Sequence, residues 1–291
     1  MIQKGLLYLR HYGLKEFWIR LHERFEPEEI PYGPWYEAYA PDQTVLDKQR
    51  KKKFVYAPLI SVVVPAYRTP QLFLKQMIDS LIAQTYENWE LCIANGSPEE
   101  ESMRKTLEEY SSKDSRIRWM DLNENKGIAE NTNAAFSMAK GEFVGLLDHD
   151  DLLSPNTLYE IVNALNEHEQ ADAVYTDEDK VTAELDEHFQ PHLKPDFNID
   201  LLRSNNYICH FFVVRRQLVE EVGAFAVSST VRRITILFSA VWKKPVRLCM
   251  CRRFCITGVP IRHLPQIILQ ARCMLLKPAG VRLRPILSVP G

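Results

Sequence analysis

Three carboxylates fall within four positions, at Asp148, Asp150 and Asp151, directly after the apolar run of residues 143–147. A run of that kind reads as a buried parallel strand. Acids crowded at its end raise one another's pKa and ionise together most easily around a divalent cation. Oxygen-only ligands favour Mg2+ or Mn2+. The same spacing also describes a strand end followed by a solvated Asp that caps the next helix, so the flanking elements must decide between the two.

Those elements repeat. Residues 59–65 are β-branched and broken by Pro65, which marks a buried strand with a defined end. Thr69 and Pro70 are placed as N-cap and first-turn proline of a helix with Leu72, Phe73, Met77, Ile78, Leu81 and Ile82 on its inner face. A strand over 89–94 leads through Asn95, Gly96 and Ser97 to a helix whose first turn holds Glu99, Glu100 and Glu101. A strand over 117–122 gives way to Gly127 and a helix over 128–139, and the acid-tipped strand follows. Ser154 and Pro155 then open a helix to His168, and residues 173–175 form a short strand before Thr176-Asp177-Glu178-Asp179. The alternation predicts an α/β fold, a mostly parallel sheet with helices on both faces. Right-handed crossovers place its ligand site beyond the carboxyl ends of the strands, where Pro65, Ala66, Tyr67, Asn95, Ser97 and the acids converge.

An acid cluster, an aromatic and small polar groups at one edge suit a nucleotide bearing a diphosphate, with the metal helping the diphosphate to leave. Tyr67 and Asn95 are placed to stack on and hydrogen-bond a base. No Gly-x-Gly-x-x-Gly or Walker sequence occurs, which disfavours dehydrogenases and P-loop kinases.

With 46% hydrophobic and 25% charged residues, the 291-residue chain is globular in composition. Its net charge of -2 hides an asymmetry: residues 226–291 hold twelve Lys and Arg and no Asp or Glu. Four of the six cysteines, Cys249, Cys251, Cys255 and Cys273, lie in that tail without the paired spacing of a zinc site. Unpaired cysteines point to a reducing cytoplasm. No window approaches the roughly twenty apolar residues of a membrane span. Near the start, Leu6, Leu9, Phe17 and Trp18 alternate with Lys4, Arg10, Lys15 and Arg20, an amphipathic pattern that can lie peripherally on the inner face of the plasma membrane or pack on its own domain. Residues 48–53 read as a solvated basic linker.

Four ordered stretches resemble the inverting glycosyltransferases of family two: Ser-Val-Val-Val-Pro-Ala-Tyr (61–67), Ala-Asn-Gly-Ser (94–97), Asn-Lys-Gly-Ile-Ala-Glu-Asn-Thr-Asn (125–133) and Leu-Asp-His-Asp-Asp (147–151). The resemblance implies a GT-A fold, a nucleotide-diphosphate sugar donor, Mg2+ or Mn2+, and transfer with inversion to a glycan or lipid-linked acceptor. By position, Pro65, Ala66 and Tyr67 would line the nucleoside pocket and Gly127 and Asn131 would lie beside the donor. Asp148 would reach the ribose or the metal, and Asp150 would ligate the metal. Asn95 departs from the Asp usual in the family, which leaves the base preference open, since an amide both accepts and donates. Residues 189–216 resemble bacterial members that build surface polysaccharides, with His210 either an acceptor-site residue or a structural histidine. The expected organisation is an N-terminal helical extension and linker over 1–57, a transferase domain over 58–225 and an aberrant tail over 226–291.

An inverting transfer needs a general base within reach of the acceptor hydroxyl. The family supplies a carboxylate roughly ninety residues after the metal motif, a distance that falls in the acid-free tail. Joining the last base of each codon to the first two of the next, with synonymous codons chosen freely, lets residues 233–237 read Asp-Tyr-Asp-Leu. Residues 237–241 continue Ile-Leu-Arg-Cys, and residues 254–259 give Leu-Tyr-His-Trp-Arg. These match the acidic and late Trp-Arg segments of the family, and they point to a frameshift near Phe225 or Ala226. Two rivals remain. A haloacid-dehalogenase-like phosphatase also has an Asp-x-Asp after a strand, but normally on the first strand. A non-catalytic nucleotide-sugar module with a basic tail is the other; out-of-frame composition accounts for that tail without a nucleic-acid partner.

Overall fold

In the computed structural model, the described residues are 13, 14, 18, 32–225 and 247–258. The chain divides into two compact units, residues 1–39 and 40–291. In the first, α1 (Tyr32–Tyr39) stacks Trp35 between Tyr32 and Tyr39, with ring centroids 5.7 and 4.8 Å apart. Most of the amphipathic pattern expected further upstream lies outside the described residues.

The second unit opens with α2 (Gln43–Lys51), whose N-cap Asp42 accepts a hydrogen bond from the Val45 amide. Lys48 to Lys51 therefore belong to a helix rather than a linker, although every basic residue of the run 48–53 is exposed as expected. They close a helix that buries Leu46 and Gln49, and Gln49 accepts from Thr85 while donating to Glu160. Next come β1 (Ile60–Ala66), α3 (Gln71–Ile82), β2 (Trp89–Asn95), α4 (Glu101–Lys113), β3 (Ile117–Asp121), α5 (Ile128–Ser137) and β4 (Phe143–Leu146). The order continues with β5 (Asp151–Leu153), α6 (Thr157–Glu167), β6 (Ala173–Val181), β7 (His188–His192), α7 (Ile199–Ser204), β8 (Phe212–Arg215), α8 (Arg216–Glu221) and β9 (Leu248–Gly258).

The strands form one sheet in the order β3-β2-β1-β4-β8-β6-β9-β5, with β7 on the side of β6. The first four are parallel neighbours, whereas β8 runs antiparallel to both β4 and β6. Every residue of β1 is buried because both sheet faces are covered. Val62 and Val64 pack with Leu74, Met77 and Ile78 of α3, while Val63 faces the opposite layer with Val144 and Ala135 of α5. Pro65 fits β1 because β4 pairs with it only as far as Val63, so its missing N–H costs no ladder bond on that side. A buried carboxylate ties the layers together: Glu90 accepts from the Ser61 hydroxyl, the Lys140 amide and the Arg118 guanidinium, each at 2.6 Å.

Three local expectations are corrected. Pro70, rather than Thr69, caps α3, and it does so without a side-chain hydrogen bond. The buried face of α3 is Phe73, Leu74, Met77, Ile78 and Leu81. At about 100° per residue, Leu72 and Ile82 lie about 170° and 110° from its centre, and both are exposed. The strand expected over 173–175 extends to Val181, because the acids after Tyr175 gain partners on β7 and β9 rather than entering a turn.

Candidate active site

The carboxyl ends of β1, β2 and β4 open on one side of the sheet, and the residues that follow them are cross-linked. The Gly96 amide donates to the Ala66 carbonyl at 2.8 Å, and the Ser97 hydroxyl accepts from the Arg68 amide at 2.8 Å. Arg68 has a φ of 48°, which turns the chain sharply after Tyr67, and the Tyr67 ring remains 37% exposed. A Cβ on Gly96 would lie 2.9 Å from the Asn131 amide nitrogen and 3.3 Å from the Ala66 carbonyl, so this loop requires glycine to bring α5 against β1.

Asn95 is fully buried and committed at both ends. Its carbonyl accepts from the Ser97 amide at 3.0 Å, and its amide donates to Asp121 at 2.7 Å. Asp121 also faces Arg104 at 3.2 Å. Gly127 has a φ of 92° and opens α5 without a capping side chain. Asn125 accepts from both the Gly127 amide and the Asn131 side chain, which leaves the buried Asn131 carbonyl oxygen without a hydrogen-bond partner.

The acid cluster is built from three segments. Asp148 follows β4, Asp151 begins β5, and His210 precedes β8, with its Nε2 3.2 Å from Asp148 and 3.8 Å from Asp151. One ligand atom from each of the three residues can be chosen with all of them within 4.8 Å of one another. Two carboxylates and an imidazole suit Mn2+ or Mg2+, so the residues fit the expected metal. Asp150 is buried but is not one of these three. The chain reverses between β4 and β5, and the Asp151 amide donates to the Asp148 carbonyl across that turn at 3.3 Å.

His210 is held from behind. Its backbone amide donates to Glu178 at 3.0 Å, and the next amide, of Phe211, donates to the Thr176 hydroxyl at 3.2 Å. The ammonium of Lys194, whose side chain is fully buried, donates to the carbonyls of Ile208 and His210 and lies 3.4 Å from Glu178. Burial pushes the Glu178 carboxyl up, but the hydrogen bond from His192 and the charges of Lys194 and His210 outweigh it and hold the group below its usual range. Burial also pulls the Lys194 ammonium below its usual value, against the opposing effect of Glu178.

Of the residues expected at the site, Pro65, Ala66, Tyr67, Asn95, Gly127 and Asn131 gather around the β1, β2 and α5 loops. Asp148 joins a cluster containing Asp151 and His210. Sequence reasoning passed over the supporting residues Asp121, Glu178 and Lys194. They are charged residues at or near strand ends, a feature visible in the sequence but common on any surface. The position expected for the general base lies outside the described residues.

Solved structures similar to this chain include two complexes with nucleotide sugars. Staphylococcus aureus TarS (residues 1–349), in complex with UDP-GlcNAc, aligns with a TM-score of 0.54 at 17% identity over 70% of this chain and 59% of that fragment. The mannosyltransferase PcManGT of Pyrobaculum calidifontis, in complex with GDP-Man and Mn2+, aligns with a TM-score of 0.53 at 18% identity over 75% of this chain and 64% of that one. The fold is that of the GT-A glycosyltransferases. Residues 61–223 match the Glycosyl transferase family 2 model, more than half of the chain, and the protein belongs to that family. An uncharacterized protein of Sinorhizobium fredii, y4gI, is 43% identical over 58% of this chain and 18% of its own length. The O-antigen biosynthesis protein RfbC of Myxococcus xanthus is 32% identical over 68% of this chain and 15% of its own. The chain thus spans less than a fifth of these two relatives.

Proposed function

We propose that this chain binds a nucleotide-diphosphate sugar and that its in-frame form transfers the sugar, with inversion, to a glycan or lipid-linked acceptor in bacterial surface-polysaccharide synthesis. The observation that carries this reading is the convergence of the Tyr67, Asn95 and Asn131 loops with Asp148, Asp151 and His210 at one edge of a family-two domain. Tyr67 offers a partly exposed ring on which a base can stack. Asp121, held by the amide of the buried Asn95, presents a carboxylate to the base edge. The uncapped start of α5 and the Asn131 carbonyl sit beside the diphosphate and sugar. Asp148, Asp151 and His210 would hold Mn2+ or Mg2+, with Asp150 in the same turn, and the ion would supply charge neutralisation for a departing diphosphate. Lys194 and Glu178 keep His210 aimed at the two acids.

The general base comes from the region after residue 225, where the chain as written has no carboxylate. A frameshift near Phe225 or Ala226 accounts for this, with 58–225 as the intact transferase portion. Such a chain keeps donor binding and loses transfer. Peripheral membrane contact through the basic N-terminal segment, near a lipid-linked acceptor, accompanies this reading. No described helix is long and apolar enough to cross a membrane.

Calorimetry with UDP- and GDP-sugars plus Mn2+ tests donor binding, and nucleoside diphosphate release with acceptor tests transfer. The chain as written should bind a donor but release little diphosphate, and the form with its 3′ frame restored should release it. Absence of binding by both forms would refute the donor assignment. An uninterrupted gene with no family-like sequence in the alternative frame would refute the frameshift.

A further inference from the structure

We propose that Glu178, His192 and Cys209 form a second metal site, selective for Zn2+, behind the Asp148, Asp151 and His210 cluster. One carboxylate oxygen, one imidazole nitrogen and one sulfur can be chosen from the three residues with all of them within 4.8 Å of one another. Tetrahedral zinc with ordinary bond lengths spaces such atoms by about 3.3–3.8 Å, so closing the site takes movements of about 1 Å.

The backbone already brings the three residues together. Glu178 on β6 and His192 at the end of β7 are direct cross-strand partners, and the His192 Nδ1 lies 2.9 Å from a Glu178 oxygen. Cys209 reaches the pair through a left-handed backbone turn, φ 40°, that few residues other than glycine adopt without cost. Its thiol donates to the Asn206 carbonyl at 3.2 Å and is only partly buried. His192 is partly exposed, which leaves a route for an ion.

The donor chemistry separates the two clusters. A thiolate and an imidazole with one carboxylate are softer than two carboxylates with one imidazole, so zinc is favoured here and manganese or magnesium next door. On binding, a Zn–S bond replaces the S–H bond of Cys209 and the proton leaves to solvent. The Lys194 ammonium opposes a nearby cation, but Glu178 offsets its charge and two backbone carbonyls accept its hydrogen bonds. Cys209 and His210 are consecutive, and zinc on the first fixes the backbone that aims the second at Asp148.

The test uses the full chain stripped of metal and titrated with Co2+ as a zinc substitute, reading the thiolate-to-cobalt charge-transfer absorption, then displaced by Zn2+. One such site is expected. Cys209→Ser should abolish the absorption, and His192→Gln, which alters a partly exposed side chain, should weaken binding by at least about 100-fold. Asp148→Asn and Cys249→Ser should retain it. Circular dichroism identifies variants that remain folded. The proposal is overturned by absorption that survives Cys209→Ser, by equal loss in Asp148→Asn, by undiminished affinity in folded His192→Gln, or by no tight site in the folded wild type.

Discussion

Replacing Gly145 with alanine probes how the core aims the acid cluster. Gly145 lies in the middle of β4, and a Cβ there would fall 2.4 Å from Cζ and 2.9 Å from Cε2 of Phe211. Ordinary van der Waals contact begins near 3.4 Å, so the ring has to retreat by about 1 Å. Phe211 has no exposed surface and packs within the core, so that displacement spreads to its neighbours. Overpacking of this size costs about 1–3 kcal/mol. Each 1.4 kcal/mol is roughly tenfold in the unfolding equilibrium. Because Phe211 directly follows His210, a shift of that size also breaks the 3.2 Å approach of His210 to Asp148. Gly145→Ala should therefore lower the urea midpoint and weaken Mn2+ binding by about tenfold or more. In a Phe211→Ala background the clash is gone, and the same substitution should cost less than about 0.5 kcal/mol. An equal cost in both backgrounds would show that the ring contact is not the cause.

Other perturbations test neighbouring claims. Asp148→Asn and Asp151→Asn should each reduce Mn2+ binding, measured by paramagnetic resonance of the free ion, more than Asp150→Asn does; the reverse order would return the ligand role to Asp150. Burial raises the Glu90 pKa, but hydrogen bonds from Ser61, Lys140 and Arg118 overcome this and hold it below the usual carboxylate range. Its contribution to stability is therefore complete above the unfolded value and lost as pH falls through the folded one. The acid limb of a stability profile should flatten in Glu90→Gln, and an unchanged limb would contradict the assignment. Asn95→Asp would set a second carboxylate where an amide now donates to Asp121 at 2.7 Å. Stability near pH 7 should drop by about 1–3 kcal/mol, and recover as acid protonates one of the pair, which equilibrium unfolding at two pH values would detect.

The sheet from β1 through β4 was legible because β1 and β4 are apolar runs, β2 and β3 are short segments rich in apolar residues, and the loops carry proline, glycine or an amide at their ends. That the loops carrying Pro65, Tyr67, Asn95 and Gly127 lie at the carboxyl ends of these strands could be read for the same reason. β6 was less legible: its apolar run stops at Tyr175, and what keeps Thr176 to Val181 extended is cross-strand pairing with β7 and β9 rather than anything local. The metal cluster was partly legible. Three acids in four positions announce a site, but which two face it depends on the reversal between β4 and β5 and on a histidine about sixty positions further along the chain. Asn95 was read as a departure from a familiar pattern, and its bond to Asp121 depends on the pairing of β2 with β3, where the two residues are register partners.

The position of β9 has a consequence for how the molecule is made. Among the described residues, β5 has its ladder with β9, and Asp151 sits opposite Gly258. At a synthesis rate of about 5–20 residues per second, roughly 5–20 s separate the emergence of the two strands. During that interval the segment carrying Asp151 has no strand beside it, and the adjoining edge of β6 is open to whatever extended peptide or chaperone is nearby. The late strand enters through backbone N–H and C=O groups, which every reading frame supplies, so a shift upstream alters what that strand carries without removing its capacity to pair.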